Sequence, residues 1–226
     1  MKDSKLSELR NNIDKIDQEI LGLLAKRAEI VLTVGELKHK NGEKGHFIRS
    51  GREATMMRKL IKTGAGKFPT NTIFPMWRGI ISASLSLENG LKIAIPSKLS
   101  FEQSRLITEY FGSPTNYVEC RNATEVLEKI DAKTVGVLDI SNAWWCKLAK
   151  DPINNIKVFA KLGKSLYAFA TVQPEESGDD KTLVVSKGTK KLGKELASHH
   201  GLKLFEADGY ITEIENGIVI GNYAKN

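Results

Sequence analysis

Arg27, Val31, Val34 and Lys38 stand at positions i, i+4, i+7 and i+11. On an α-helix all four lie along one face. Eleven residues return the azimuth to within about 20° and advance about 16 Å along the axis. Such a face presents a cation, two small apolar side chains and a second cation, which suits a ligand with anionic groups around an apolar body. Trp77, Ile81, Ser84 and Glu88 form a second stripe of the same kind, ending in a hydrogen-bonding group. Arg52-Glu53 adds one more cation and a carboxylate. Phosphate recognition usually brings a glycine-rich turn before a helix, and none is placed that way here. His39, His46 and His199-His200 have no partner at metal-ligand spacing and are expected to be solvated at helix ends. Cys120 and Cys146 are too few for a four-ligand zinc site or a disulfide scaffold. No metal and no cofactor is expected.

The elements that must position these residues are legible as hydrophobic periods. Leu6, Leu9, Ile13, Ile16, Ile20, Leu23, Arg27, Ile30, Val34 and Leu37 alternate spacings of three and four, as in a coiled coil. The helix that carries them can start near Ser4 and stop at Asn41-Gly42. That is roughly 36 residues, or about 54 Å. Arg27 takes a seam position where leucine is expected, and a buried guanidinium must meet an anion. Either an intramolecular salt bridge or escape to water supplies that, or a bound ligand does; the cationic stripe favours the ligand. A second helix fits about 50–63, closed by Gly64-Ala65-Gly66. A third fits about 72–88, which puts Pro75 in its first turn, where a missing N–H is harmless. Two helices this short cannot cover the first one, so its seam argues for a second subunit.

Past Asn89-Gly90 the pattern changes to short β-rich runs: 91–95, 116–120, 134–140 and 182–185. Between them Ser100 and Gln103 are spaced as a capping box, with Gly112 as a helix stop, and a further helix fits 123–130. The expected architecture is therefore multidomain α and α/β. Residues 1–90 form a three-helix domain whose seam calls for a second subunit, and residues 91–226 form a small α/β domain with a mostly parallel sheet. A ligand of that sheet is expected near Pro96–Ser100 and Asp139–Asn142, at the carboxyl ends of the strands. The acidic stretch 173–180 reads as a mobile loop, and Trp144-Trp145 as core.

Composition bounds the function. The chain has 226 residues, 41% hydrophobic and 27% charged, ordinary for a folded soluble protein. No apolar run approaches a membrane span of about 18–20 residues. Met1-Lys2-Asp3-Ser4-Lys5 lacks the apolar stretch of a signal peptide, so a cytoplasmic location is expected. The net charge is +7, and residues 1–90 hold most of it, with 16 Lys and Arg against 10 Asp and Glu. A basic helical module for nucleic acid or a partner protein, with an α/β sensor, would fit that surplus. The seam position of Arg27 speaks against it, because nucleic-acid contacts need exposed basic faces.

Residues 6–88 resemble the all-α chorismate mutase family. The matching stretches are Leu6-Ser-Glu-Leu-Arg10-Asn-Asn-Ile-Asp14-Lys-Ile-Asp17, Leu23-Leu-Ala-Lys-Arg27, Val34-Gly-Glu-Leu-Lys38 and Arg52-Glu53. The resemblance implies an intertwined helical homodimer that rearranges chorismate to prephenate, in phenylalanine and tyrosine biosynthesis. This unimolecular pericyclic reaction needs no nucleophile, metal or cofactor. It also implies the roles. Arg27 binds a substrate carboxylate, and Arg10 reaches in from the partner subunit. Lys38 contacts the ether oxygen and a carboxylate, and Glu53 accepts the substrate hydroxyl. Arg52 and Ser84 line the pocket, and Glu88 donates to the ether oxygen. Two positions depart from the family pattern. Arg49 stands where many members carry an acidic residue, and Glu88 where many bacterial members carry glutamine. A glutamine donates at any pH but a glutamate only when protonated, so turnover is expected to fall as pH rises.

Residues 91–170 resemble prephenate dehydratase, through Ser100-Phe101, Tyr110-Phe111-Gly112 and Gly136-Val-Leu-Asp-Ile140. Its catalytic motifs are degenerate. Gly-Thr-Phe-Ser is at best Leu99-Ser100-Phe101-Glu102, Glu-Asn-Ser at best Ser141-Asn142-Ala143, and Thr-Arg-Phe at best Tyr167-Ala168-Phe169. The expectation is a chorismate mutase with a non-catalytic C-terminal domain. The alternative is a bifunctional chorismate mutase/prephenate dehydratase.

Overall fold

A computed structural model describes residues 2–42, 48–112, 116–150, 155–187 and 191–225. The chain divides into two compact units, residues 1–43 and residues 44–226. The first is a single helix, α1 (Lys2–Lys40), unbroken through 39 residues. It starts two residues before Ser4 and stops just before Asn41-Gly42, with Lys38, His39 and Lys40 in the last turn, where cations favour the helix dipole. Its apolar seam is exposed: Leu9 is 53%, Ile16 54%, Leu23 65% and Ile30 65% accessible.

The second unit opens with α2 (Ser50–Thr63) and α3 (Thr70–Asn89). α2 keeps the expected bounds. α3 starts two residues early, so Pro75 lies in its second turn rather than its first. The chain enters the helix through Pro69, whose carbonyl accepts from both the Thr72 amide and its Oγ1. Those bonds close a first turn ahead of the proline.

One sheet of nine strands follows, in the order β2-β1-β3-β5-β4-β9-β6-β8-β7. Its strands are β1 (Lys92–Pro96), β2 (Asn116–Cys120), β3 (Thr134–Asp139), β4 (Ile156–Leu162), β5 (Leu166–Thr171), β6 (Asp180–Ser186), β7 (Lys194–His199), β8 (Leu202–Asp208) and β9 (Ile218–Ala224). The helices among them are α4 (Phe101–Phe111), α5 (Ala123–Glu128) and α6 (Trp144–Lys150). Ser100 and Gln103 form the capping box of α4, each side chain bonding the other's backbone N–H.

The sheet is mixed and mostly antiparallel, which corrects the expectation of a mostly parallel one. β1 pairs parallel with β2 and β3, and β4 with β9; the other five pairings are antiparallel. The βαβαβ order holds only as far as β3. Beyond it the neighbours β4 and β5, and β7 and β8, are joined by connections too short for the helical crossovers that parallel neighbours require. β4 and β5 are joined through Gly163-Lys164-Ser165. β7 and β8 are joined by His200-Gly201 alone, at φ 47° and 76°, the two positive values of a type I′ hairpin turn. His199 and His200 therefore belong to a β-hairpin, not to helix ends.

Both faces of the sheet's centre are covered, so β3 and β5 read as continuous apolar runs. The period of two sorts their side chains. Val135, Val137, Ala168 and Ala170 join Met57, Ile81, Leu85, Ile107 and Phe111 from α2, α3 and α4. Leu138, Tyr167 and Phe169 join Val126, Leu127, Trp144 and Trp145 from α5 and α6. Trp144 and Trp145 are core, as expected, 2% and 1% exposed. Gly221 of β9 couples the two halves of the sheet. A Cβ there would stand 2.3 Å from the Val158 carbonyl oxygen of β4.

The stretch 173–180, expected to be a mobile loop, packs on α2. A Cβ on Gly51 would lie 2.5 Å from the Glu175 carbonyl oxygen. Thr55 Oγ1 donates to the Ser177 carbonyl at 3.3 Å, and Arg58 Nη2 donates to the same oxygen. Asp180 accepts from the Ser177 amide and hydroxyl and the Gly178 amide, closing the turn.

Candidate functional site

The candidate residues fall into two groups. Arg10, Arg27 and Lys38 are on α1. Arg27 and Lys38 share one helical face, as their spacing requires. Arg10 precedes Arg27 by 17 residues on an unbroken helix, which is about 25 Å. One copy of α1 therefore cannot bring Arg10 and Arg27 to the same small molecule.

Arg52, Glu53, Ser84 and Glu88 belong to the second unit. Arg52 and Glu53 are sequence neighbours on α2, so the helix turns them to different directions. Arg52 is exposed, whereas Glu53 is half-buried. Glu53 Oε2 meets Arg78 Nη1 of α3 at 2.7 Å, and the two side chains are only 14% and 5% exposed. Glu53 Oε1 accepts no hydrogen bond among the described residues. The Arg78 guanidinium also lies 3.8 Å from the Tyr110 ring centroid and donates through Nε to the Tyr110 carbonyl at 3.0 Å. Burial pushes the Tyr110 hydroxyl up to about 12; the nearby Arg78 opposes that shift and Glu53 adds to it. Arg78 was not among the sequence candidates. It lies four residues from Phe74 and Ser82 on α3, and an arginine amid an apolar helix face is the signal that marks it, the same signal that marks Arg27.

Ser84 and Glu88 are half-buried one turn apart on α3, and Ser84 Oγ donates back to the Ile80 carbonyl at 2.8 Å. The other half of that stripe is core: Ile81 is 5% exposed and Trp77 packs against the same cluster. Arg49 has a partner of its own, Glu175 at 2.8 Å, so this departure from the family pattern coincides with docking of the 173–180 stretch.

At the strand ends where a sheet ligand was expected, Asp139 is engaged in structure. Its carboxylate accepts from the Ser141 amide at 2.9 Å, from Ser165 Oγ at 2.5 Å and from Gln103 Nε2 at 3.4 Å. Burial works against its ionisation, and these bonds outweigh burial and hold its pKa below the usual value. A second charged cluster lies on β4, β8 and β9. Lys161 Nζ meets Glu206 at 2.7 Å, and Tyr223 donates its hydroxyl to the same carboxylate. Burial opposes ionisation of Glu206, yet the bonds from Lys161 and Tyr223 hold its pKa below the ordinary value. Cys120 and Cys146 are buried free thiols whose pKa values burial raises. Among the described residues no three His, Cys, Asp or Glu side chains gather as metal ligands. No described helix is long and apolar enough to cross a membrane.

Residues 9–89 match the family described as chorismate mutase type II. The chain is 34% identical over 145 residues to a bifunctional chorismate mutase/prephenate dehydratase of Aquifex aeolicus, covering 61% of this chain and 39% of that protein. It is 29% identical over 137 residues to the protein of the same description from Neisseria gonorrhoeae, covering 60% and 36%. A T-protein of Enterobacter agglomerans is 35% identical over 96 residues, covering 41% of this chain and 25% of its own. The chain thus spans about two fifths of the length of the bifunctional relatives it matches. No solved structure matches. The N-terminal region carries the chorismate mutase sequence pattern, and the alignments with the bifunctional relatives are longer than that match.

Proposed function

We propose that this chain is a chorismate mutase that works as a homodimer through residues 1–90, and that residues 91–226 do not dehydrate prephenate. The observation that carries the reading is the unbroken α1, which holds Arg10 about 25 Å from Arg27. A site that uses both must take them from two chains, and the exposed seam of α1 is the surface on which a second copy can close.

The chemistry follows from the residues. Chorismate rearranges when its enolpyruvyl side chain folds over the ring, one C–O bond breaking as one C–C bond forms. Arg27 and Arg10 of the partner subunit grip the two carboxylates and hold that conformer, converting a rare geometry into the bound one. Lys38 meets the ether oxygen, where negative charge grows, and a protonated Glu88 donates to the same oxygen. Arg52 and Ser84 line the pocket. Glu53 uses Oε1 for the ring hydroxyl while Oε2 stays on Arg78.

The test is chorismate consumption followed by absorbance. Arg10→Ala and Arg27→Ala should each cut turnover by about 100-fold or more, in the range for loss of one preorganised donor. Refolded together, they should regain activity, because one site of each heterodimer is intact. Confirmed heterodimers with no recovery would rule out shared sites. Phenylpyruvate above the acid-catalysed background would favour the bifunctional reading instead.

A further inference from the structure

A cavity of about 330 Å³ lies between α2, α3, α4 and strands β4 and β9. That volume is at the lower end of the roughly 300–1,000 Å³ of small-molecule pockets. Its apolar wall is Met57, Ile61, Phe74, Tyr110 and Phe159. Four cations also line it: Arg58, Arg78, Lys161 and Lys225. Three of them have carboxylate partners. Arg78 holds Glu53, Lys161 holds Glu206, and Lys225 holds Asp179 at 3.1 Å.

Arg58 is the exception. Among the described residues it has no carboxylate within ion-pair distance, and its one acceptor is the neutral carbonyl of Ser177. Its Nη1 is shut off from solvent and has no hydrogen-bond partner among the described residues. A guanidinium carries five N–H donors and cannot give up its charge; Nη1 is closed to the cavity as well as to bulk water, so a ligand would meet the other atoms of the side chain. The cavity is therefore short of one negative charge beside Arg58, while its other charged side chains are already paired.

We propose that this cavity binds a small monocarboxylate with a compact apolar body, its carboxylate on Arg58 and its body against Met57, Phe74 and Phe159. One unpaired cation matches one anionic group. A phosphate, with two charges and no apolar part, would leave the wall unused and one charge unmatched. The site is separate from the proposed mutase site except for Glu53, which Arg78 holds.

The experiment titrates the full chain with 3-phenylpropanoate by calorimetry and follows the ¹³C-labelled ε-methyl of Met57 by NMR. One saturable site per chain is expected, with a Met57 shift that saturates in step. Arg58→Gln should weaken binding at least tenfold. Ala54→Phe, which fills the cavity and leaves every charged residue in the chain, should do the same, and thermal melting shows that each variant is folded. The neutral 3-phenylpropanol and inorganic phosphate should each bind at least tenfold more weakly than the carboxylate. Arg27→Ala should bind like the parent, whether or not chorismate turnover is found. No saturable binding, unchanged binding in folded Arg58→Gln or Ala54→Phe, phosphate binding as tight as the carboxylate, or loss of binding in Arg27→Ala would each overturn the proposal.

Discussion

Helix α1 and the nine-stranded sheet solve the problem of apolar surface in opposite ways. Along α1, Leu23 and Ile30 are each 65% exposed at positions whose spacing is that of a buried seam. In β3, Val135, Val137 and Leu138 are wholly buried, because helices pack on both faces of the sheet. A sheet with two covered faces completes its core within one chain. A long, straight helix with a narrow apolar stripe cannot, and such a stripe is satisfied by another helix of similar length. Damage to the helix should therefore show first in association and activity, and damage to the sheet in stability.

The largest effect is expected from Ile16→Glu with Leu23→Glu on the seam. The pair should turn the proposed dimer into a monomer by light scattering and abolish chorismate turnover. The unfolding midpoint of the α/β core should barely move. An active monomer would break the comparison.

Next comes the buried Glu53–Arg78 pair. Glu53→Gln should cost about 3–5 kcal/mol, since it strands a buried charge, whereas adding Arg78→Met should restore most of that stability. If the restored double variant is still inactive, Glu53 serves the substrate as well as the fold. If activity returns with stability, its role is confined to packing α2 on α3.

Gly221→Ala tests the seam between the two halves of the sheet. The added Cβ would meet the Val158 backbone, and urea denaturation should show a loss of about 3 kcal/mol, the upper end for overpacking. Turnover per folded chain should stay unchanged, which separates the two regions from the other side.

The smallest effect is a pH dependence at Glu206. Its pKa is held below the ordinary value in the fold, so it contributes stability above the unfolded carboxylate range of about 4.3 and loses it as pH falls through the folded value. Glu206→Gln should therefore be less stable than the parent at pH 7, and the gap should shrink as the solution is made acidic. A gap that does not change with pH would mean that Lys161 and Tyr223 do not hold the carboxylate's charge.

Local signals were legible wherever one element decides the matter alone. The three to four spacing located α1, the Ser100–Gln103 pair located the start of α4, and Gly112 its end. The order β1-α4-β2-α5-β3 was legible too, because short apolar runs alternate with capped helices. The start of α3 was missed because Pro69 and Thr72 set the first turn through hydrogen bonds that leave no hydrophobic period. In the candidate site, a cation at a seam position marks Arg27 and the shared helix face marks Lys38, whereas Arg78, which carries the same signal as Arg27, gains its meaning only from its contact with Glu53.

What the sequence determined by itself is what lies within reach of a few residues: helix periods, caps, turn glycines and the charges along each stripe. The tertiary structure alone decided strand direction after β3, the docking of 173–180 on Gly51, and the pairing of Glu53 with Arg78. It alone left Arg58 without an anion among the described residues. The physical reason is separation along the chain. Glu53 meets a residue 25 positions away and Thr55 one 122 positions away. No local propensity encodes which distant backbone will close on a small residue, or which of several charges will find its counterpart once water is excluded.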